Sequence, residues 1–352
     1  MKSSIGKMLF LLLWPFLSIV AQIHPYYSEI NQDSRSEELK AQLQALITAT
    51  HINEIIYTPG VWNALRVSEL ESPESDQILL IYGFSNSDGI ASTDRLRHVD
   101  LSCHTSSCTG LWVREHVYPR SLGTPNLGSI GAGSDLHALH AIDDNRNNLR
   151  GNRPFGFGSG NSTVVSGGAF YPGDEWKGDV ARMMMYMHLR YPEQCPAERV
   201  GVGGATFSVI DEMPDIFLIW NAQDPPSEHE KVRNELFYTL QGNRNPFIDN
   251  PALATQIWNG PQAIDTWAST STRNPDSTVP LIIYPNISSE FLCFSPPLPS
   301  SSHYSIIDLK STQVQKGQTN NNQIDIRFLT NGMYLLCLET EYKPMVFKFI
   351  KQ

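Results

Sequence analysis

The sequence predicts an α+β fold over residues 22–265 and a small all-β module over residues 278–352. Three observations predict this. Apolar residues recur at helical spacing in several stretches of the first part, with short apolar runs between them. Composition then shifts near residue 270 into a Ser/Thr/Asn run, residues 266–277, which reads as a linker. Beyond it, short alternating segments separated by turn residues replace the helical pattern. With 352 residues, 41% of them hydrophobic, the chain is long enough for two folded units and apolar enough to bury a core.

Taken in order, Leu39, Leu43, Leu46 and Ile47 predict a helix over 37–57, stopped by Pro59-Gly60. Trp62 to Leu65 starts another. The apolar run Gln77 to Tyr82 reads as a strand, and Gly83 to Gly110 as loop. Strand character resumes at Leu111-Trp112-Val113 and runs into Arg114-Glu115-His116. A Gly/Ser/Pro-rich loop spans Ser121 to Ser134, and Asp135 through Asn148 reads as a helix capped by Ser134 or Asp135. Asp179 to Tyr191 is a helix whose stripe of Val180, Met183, Met184 and Met187 suits core packing rather than a cofactor. Helices are also predicted over 228–240 and 251–258. In the last module, segments 279–284, 305–309, 323–328, 333–338 and 346–350 read as strands, with Asn331-Gly332 among the turns.

Residues 1–21 read as a secretory signal peptide. Lys2 and Lys7 flank its start, an apolar run follows from Met8 to Val20, and cleavage fits after Ala21. The run is shorter than the roughly 20 residues of a membrane span. No later stretch spans a membrane, so the mature protein is expected to be exported, soluble and monomeric, where disulfides persist. A net charge of −10 and pI near 5.5 exclude a uniformly basic surface, so any phosphate-binding site must be arranged locally. Five cysteines are too few for a disulfide-dense scaffold, and odd in number.

Chemistry concentrates in two runs, Leu111 to Ser121 and Asp135 to Asn152. A strand-borne acid and imidazole come first, then a loop, then a segment rich in amides and arginines. Such a set could hold a hard divalent cation against a phosphate. Glu115 supplies an anionic oxygen and a side-chain amide a neutral one. His116 suits removal of a proton from water at neutral pH. Arg114, Arg146 and Arg150 could stabilise a charged phosphate. The bland alternative is that Glu115 and His116 lie on opposite faces of an ordinary strand, since neighbours alternate.

The run Arg114-Glu115-His116-Val117-Tyr118-Pro119-Arg120-Ser121, and the run from Asp135-Leu136-His137 to Asn147, Arg150 and Asn152, resemble the bacterial endonuclease I family. The resemblance continues through Lys177 to Arg182, Asp224 to Ser227, and Arg233 to Asp249, and covers about residues 35–260. It implies a secreted, sugar-nonspecific nuclease with a ββα-metal (His-Me) finger. His116 falls on the general base, Glu115 on a metal-binding acid, and Asn147 on the metal-binding Asn. Arg150 and Asn152 match the Arg and Asn that follow. Two departures are Ala141, where the family often has Pro, and His140, where an aromatic or small residue is usual. The phosphate-stabilising arginine falls to Arg114 or Arg150. The implied reaction is hydrolysis of a phosphodiester to 5′-phosphate products, with Mg²⁺ on Glu115 and Asn147 and Ca²⁺ or Mn²⁺ as alternatives. A basic cleft of Arg114, Arg120, Arg146, Arg150, Asn152 and Arg153 is expected to hold nucleic acid, with DNA and RNA both open. The rival reading is a surface-anchored binding protein on an inactive nuclease scaffold.

Cys103-x4-Cys108 suits a short-loop disulfide better than half of a zinc site, because no second Cys pair follows at workable spacing. Cys293 and Cys337 are left open as a pair, and Cys195 as a free thiol. His137 and His140, three apart on the expected helix, would share a face. Arg244, close to Asp249, reads as a buttressed turn. The C-terminal module resembles a type IX secretion sorting domain through Ile283-Tyr284-Pro285-Asn286, Asn331 to Leu336, and Lys348 to Gln352. That implies a small β-sandwich that engages the secretion machinery and directs the protein out of the cell or onto its surface.

Overall fold

The computed structural model describes residues 23–268 apart from 106, 209 and 211, and residues 281–352 apart from 285–286, 296–297, 299–301, 309–311, 321 and 339–344. The signal peptide and most of the linker lie outside the described residues. The first part mixes helices with three two-stranded sheets, and the last part is all β.

Helices α1 (Ser36–Thr50) and α2 (Trp62–Ser68) come first. Helix α1 buries Leu39, Leu43 and Ile47, the spacing that marked it, and ends at Thr50, earlier than its predicted end. Strand β1 (Gln77–Leu79) pairs antiparallel with β2 (Leu96–His98), which lies inside the segment read as loop. Strand β3 (Trp112–His116) pairs antiparallel with β4 (Leu139–Asp143), and α3 (Asp144–Arg150) follows at once. The helix expected over 135–148 is therefore corrected. Its first part is a 3-10 turn (Leu136–Ala138) and a strand, and only its end is helical. Every residue of β4 is buried, so the strand lacks the polar alternation that would have marked it. Asp143 ends the strand and caps α3, its Oδ1 accepting from Arg146 N at 3.0 Å while Oδ2 accepts from Arg97 at 2.7 Å.

After a short hairpin of β5 (Thr163–Val164) and β6 (Phe170–Tyr171) comes α4 (Lys177–Arg190), the axis of the core. It is buried from Gly178 to Leu189, and α1, α5 (Asp215–Gln223) and α7 (Pro246–Asp249) pack on it. The Met stripe lies in that core, where each fully buried side chain contributes about 1.5–3 kcal/mol. Helix α6 (Glu228–Gln241) starts with a reciprocal capping box between Ser227 and Glu230, and α8 (Ala252–Trp258) closes the unit. Helix α5 was not predicted: it is buried on all sides and so lacks an amphipathic stripe.

Two buried polar networks tie α4 to α6 and the start of β4 to α4 and α6. Arg182 of α4 donates to both carboxylate oxygens of Glu230 on α6, at 2.7 and 2.6 Å. Asp135, just before β4, accepts from the hydroxyls of Tyr186 at 2.8 Å and Tyr191 at 3.0 Å, and from Gln241 at 3.1 Å. Arg244 is a buttress as expected, donating to both oxygens of Asp249 and to Glu235.

The C-terminal strands are β7 (Ile282–Tyr284), β8 (Ile287–Ser288), β9 (Phe291–Ser295), β10 (His303–Asp308), β11 (Gln313–Gln318), β12 (Gln323–Asp325), β13 (Gly332–Leu338) and β14 (Met345–Lys351). They form a five-stranded sheet, β11-β10-β13-β14-β8, and a three-stranded sheet, β12-β9-β7. Their common core includes Leu292, Phe294, Ile306, Ile324, Leu336 and Phe349. Cys293 and Cys337 are both free thiols, as is Cys195 in the first unit. Among the described residues no helix is long and apolar enough to cross a membrane.

Candidate active site

The β3–β4–α3 unit bears the candidate residues Glu115, His116 and Asn147. In its register Glu115 faces His140 and His116 faces Leu139. Adjacent strand residues point to opposite sides, and the two side chains do diverge, each into its own surroundings.

Glu115 is buried on the α3 side. Its Oε1 accepts from the Tyr82 hydroxyl at 3.3 Å and lies 3.2 Å from Arg150 Nε. Burial pushes its carboxyl up to about 7 in the metal-free chain, against the opposing pull of Arg150 and the Tyr82 hydrogen bond. Oε2 accepts no hydrogen bond among the described residues. Tyr82 holds a positive φ of 66°, a conformation that a tyrosine adopts only when its surroundings over-determine it. Arg150 is fully buried: Nη1 donates to Gly151 O at 2.9 Å and Nη2 to Val117 O at 2.8 Å. The expectation that Arg150 stabilises phosphate is therefore corrected. Both Nη groups are engaged within the fold and Nε faces Glu115 without a hydrogen bond, so the charge orients Glu115 instead.

His116 lies on the other side. Its Nε2 is 2.9 Å from Gly133 O, which can only accept, so Nε2 carries the proton and Nδ1 keeps its lone pair. Burial lowers the imidazole to about 4, with Arg120 and Arg114 pushing the same way and the Gly133 carbonyl opposing them. The ring is therefore a neutral acceptor at neutral pH. Tyr57 packs against it at 5.2 Å between centroids. Gly133 has to be glycine: a Cβ there would lie 1.9 Å from Gly128 O.

Arg114 shares this side. Its guanidinium lies 3.5 Å from the Tyr57 ring centroid and 4.4 Å from that of Trp62, and Nη1 donates to Tyr57 O and, at 2.9 Å, to Thr58 Oγ1. Nε and Nη2 make no hydrogen bond among the described residues. Arg120 is exposed, with Nε donating to Leu127 O at 2.8 Å. Arg153 is half-buried and turns back onto Leu149 O, while Asn152 is exposed and reaches Ser121 Oγ at 3.5 Å. Arg146 is buried, donating to Ser92 O at 2.7 Å and to Ser162. The predicted basic cleft is therefore narrowed, because Arg146 and Arg150 are interior residues. Arg114, Arg120 and Arg153 are the cations of that set which reach the surface.

Asn147 is half-exposed on α3, and its side chain makes no hydrogen bond among the described residues. No group of three or more His, Cys, Asp or Glu residues able to hold a metal occurs among the described residues. The oxygen donors are thus few: Glu115 Oε2 and the Asn147 amide. An all-oxygen set of this size is chemically compatible with a hard divalent cation that keeps most of its waters. His137 and His140 do not share a helix face. His137 is buried against Asn243 O and the Tyr186 ring, and His140 Nδ1 donates to Glu69 Oε2 at 2.9 Å. Burial lowers these rings to about 4 and about 3, which keeps both neutral.

Sequence reading missed Tyr57, Tyr82 and Gly133. The only local signal was the Gly-rich loop ending at Ser134. The Cys103–Cys108 disulfide is present and flanks the entry to β3.

Residues 35–252 match the model of the family described as Endonuclease I, and residues 282–352 that of the secretion system C-terminal sorting domain. The chain is similar to the extracellular ribonuclease of Bacillus subtilis (strain 168), 33% identical over 260 residues, which covers 69% of this chain and 83% of that protein. It is likewise similar to the extracellular ribonuclease of Bacillus amyloliquefaciens, 34% identical over 252 residues, covering 68% and 79%.

Proposed function

Because the chain belongs to the endonuclease I family and ends in a type IX sorting domain, and is thus a secreted or cell-surface nuclease, we propose that it is a divalent-metal-dependent endonuclease that cleaves RNA, and DNA as well, to 5′-phosphate products. The β3–β4–α3 unit supports its being a ββα-metal finger. The observation that carries the reading is the 2.9 Å contact of His116 Nε2 with Gly133 O. A backbone carbonyl accepts its Nε2 proton and leaves Nδ1 as a free base on the same strand as Glu115.

His116 Nδ1 takes a proton from water as that water's oxygen bonds to phosphorus. The P–O3′ bond breaks in line, and the leaving 3′ oxygen gains a proton from solvent. Glu115 and Asn147 would hold Mg²⁺, which when bound supplies positive charge to the phosphate and to the leaving oxygen. Arg150 and Tyr82 position Glu115 and leave Oε2 open. Arg114, immobilised between two aromatic rings, directs its unpaired Nε and Nη2 at the scissile phosphate. The test is Asn147→Ala. Its amide supports no part of the fold, so the variant should fold normally and demand far more Mg²⁺ for half-maximal RNA cleavage. An unchanged Mg²⁺ requirement would remove Asn147 from the metal site.

A further inference from the structure

Beside the base, a row of rings and guanidinium groups leads away along the surface. Tyr57 lies against His116, 5.2 Å between centroids, and against Arg114, 3.5 Å from the guanidinium to its ring centroid. Arg114 passes the row to Trp62 at 4.4 Å, and Trp62 to His104 at 4.4 Å. Trp62 is the anchor, nearly buried and braced edge-on by Trp112 at 4.9 Å. His104 is the outer end and is exposed. It sits inside the Cys103–Cys108 loop, and its Nε2 meets Ser102 Oγ at 3.0 Å, which is itself held by Arg66 at 2.8 Å. An exposed imidazole fixed in this way by a disulfide, a hydroxyl and a tryptophan has paid its ordering entropy before any ligand arrives.

We propose that this row is a subsite for an unpaired segment of nucleic acid beside the cleaved bond, with a nucleobase stacked on the outer face of His104 and its phosphate on Arg114. The inference rests on the nuclease reading and adds a substrate preference to it. Only unstacked bases offer a π-face to a ring, so the subsite favours single strands over duplex. The overall charge of −10 leaves little general attraction for a polyanion, so local stacking and one or two fixed cations must supply the binding. The inner rings are already stacked against the protein, which leaves His104 as the ring with an open face. The short disulfide loop, which the hydrolytic step does not need, is the device that presents it.

The test uses the full-length secreted protein. Binding of a fluorescent single-stranded RNA oligonucleotide is measured in chelator, and hydrolysis of an abasic dinucleotide analogue, a small diester without an aromatic ring, is measured with Mg²⁺. His104→Ala should weaken oligonucleotide binding about five-fold or more, the lower end of what one lost stacking contact removes. His104→Tyr should restore it, and neither change should alter turnover of the small diester. Duplex binding should change little in both variants. Equal affinity of wild type and His104→Ala for the single strand would overturn the subsite, as would failure of His104→Tyr to restore it. If wild type hydrolyses neither the small diester nor RNA while the oligonucleotide still binds through His104, the nuclease reading fails and the stacking subsite stands.

Discussion

Replacing Gly133 by alanine is expected to disable the base without touching it. The added Cβ would fall 1.9 Å from Gly128 O, 2.8 Å from its carbonyl carbon and 3.0 Å from its nitrogen. Backbone atoms cannot yield as a flexible side chain does. The two segments must part by about 1 Å, a misplacement that can lower catalysis on the order of 10²-fold. The bond from His116 Nε2 to Gly133 O, now 2.9 Å, would stretch past the limit of about 3.5 Å. With that acceptor gone, the proton is free to move to Nδ1, and the lone pair no longer faces the water. The assay is steady-state cleavage of RNA at saturating Mg²⁺. We expect kcat to fall about 100-fold, equivalent to about 2.7 kcal/mol, with KM little changed. Gly128→Ala is the control. Its Cβ has no neighbour nearer than Ile130 O at 4.0 Å, so activity should be retained. A Gly133→Ala protein with wild-type thermal unfolding and wild-type kcat would refute the claim that this carbonyl sets the base.

Acid should act through the metal before it acts on the base. The Glu115 carboxyl, raised to about 7 by burial, gains a proton as pH falls through neutrality, whereas His116, lowered to about 4, stays neutral. Activity should therefore decline below about pH 7 at limiting Mg²⁺, and a tenfold increase in Mg²⁺ should move that decline down by up to about one pH unit; a limb that ignores Mg²⁺ would contradict the assignment. Arg182→Met should lose about 3–5 kcal/mol in urea denaturation, because it strands the buried Glu230 carboxylate, and adding Glu230→Gln should recover part of the loss. A loss under about 1 kcal/mol, the worth of an exposed pair, would mean that this ion pair does not fix α4 to α6.

The residues of the site were more legible than the architecture that holds them. Glu115, His116 and Asn147 were singled out through the resemblance of their two runs to the endonuclease I family, since the residue types alone left the amide unassigned. The long helix α4 was plain from its Met stripe. Strand β4 was not, because a strand buried on both faces loses its alternation. The burial of Arg146 and Arg150 was likewise hidden, since their partners Ser162 and Val117 are distant in sequence or carry no charge. Tyr57 and Gly133 act across gaps of 59 and 17 residues from His116, and only the closed fold reveals those contacts.

The central claim is that His116 is a neutral base working with a divalent cation held through Glu115. The most direct measurement is cleavage of RNA and plasmid DNA by the exported protein, with Mg²⁺ or with chelator, beside His116→Ala and Glu115→Gln. Wild type should degrade both substrates only with metal, and both variants should lose activity while their thermal unfolding shows an intact fold. Cleavage that persists in chelator, or in folded His116→Ala, would contradict the central claim.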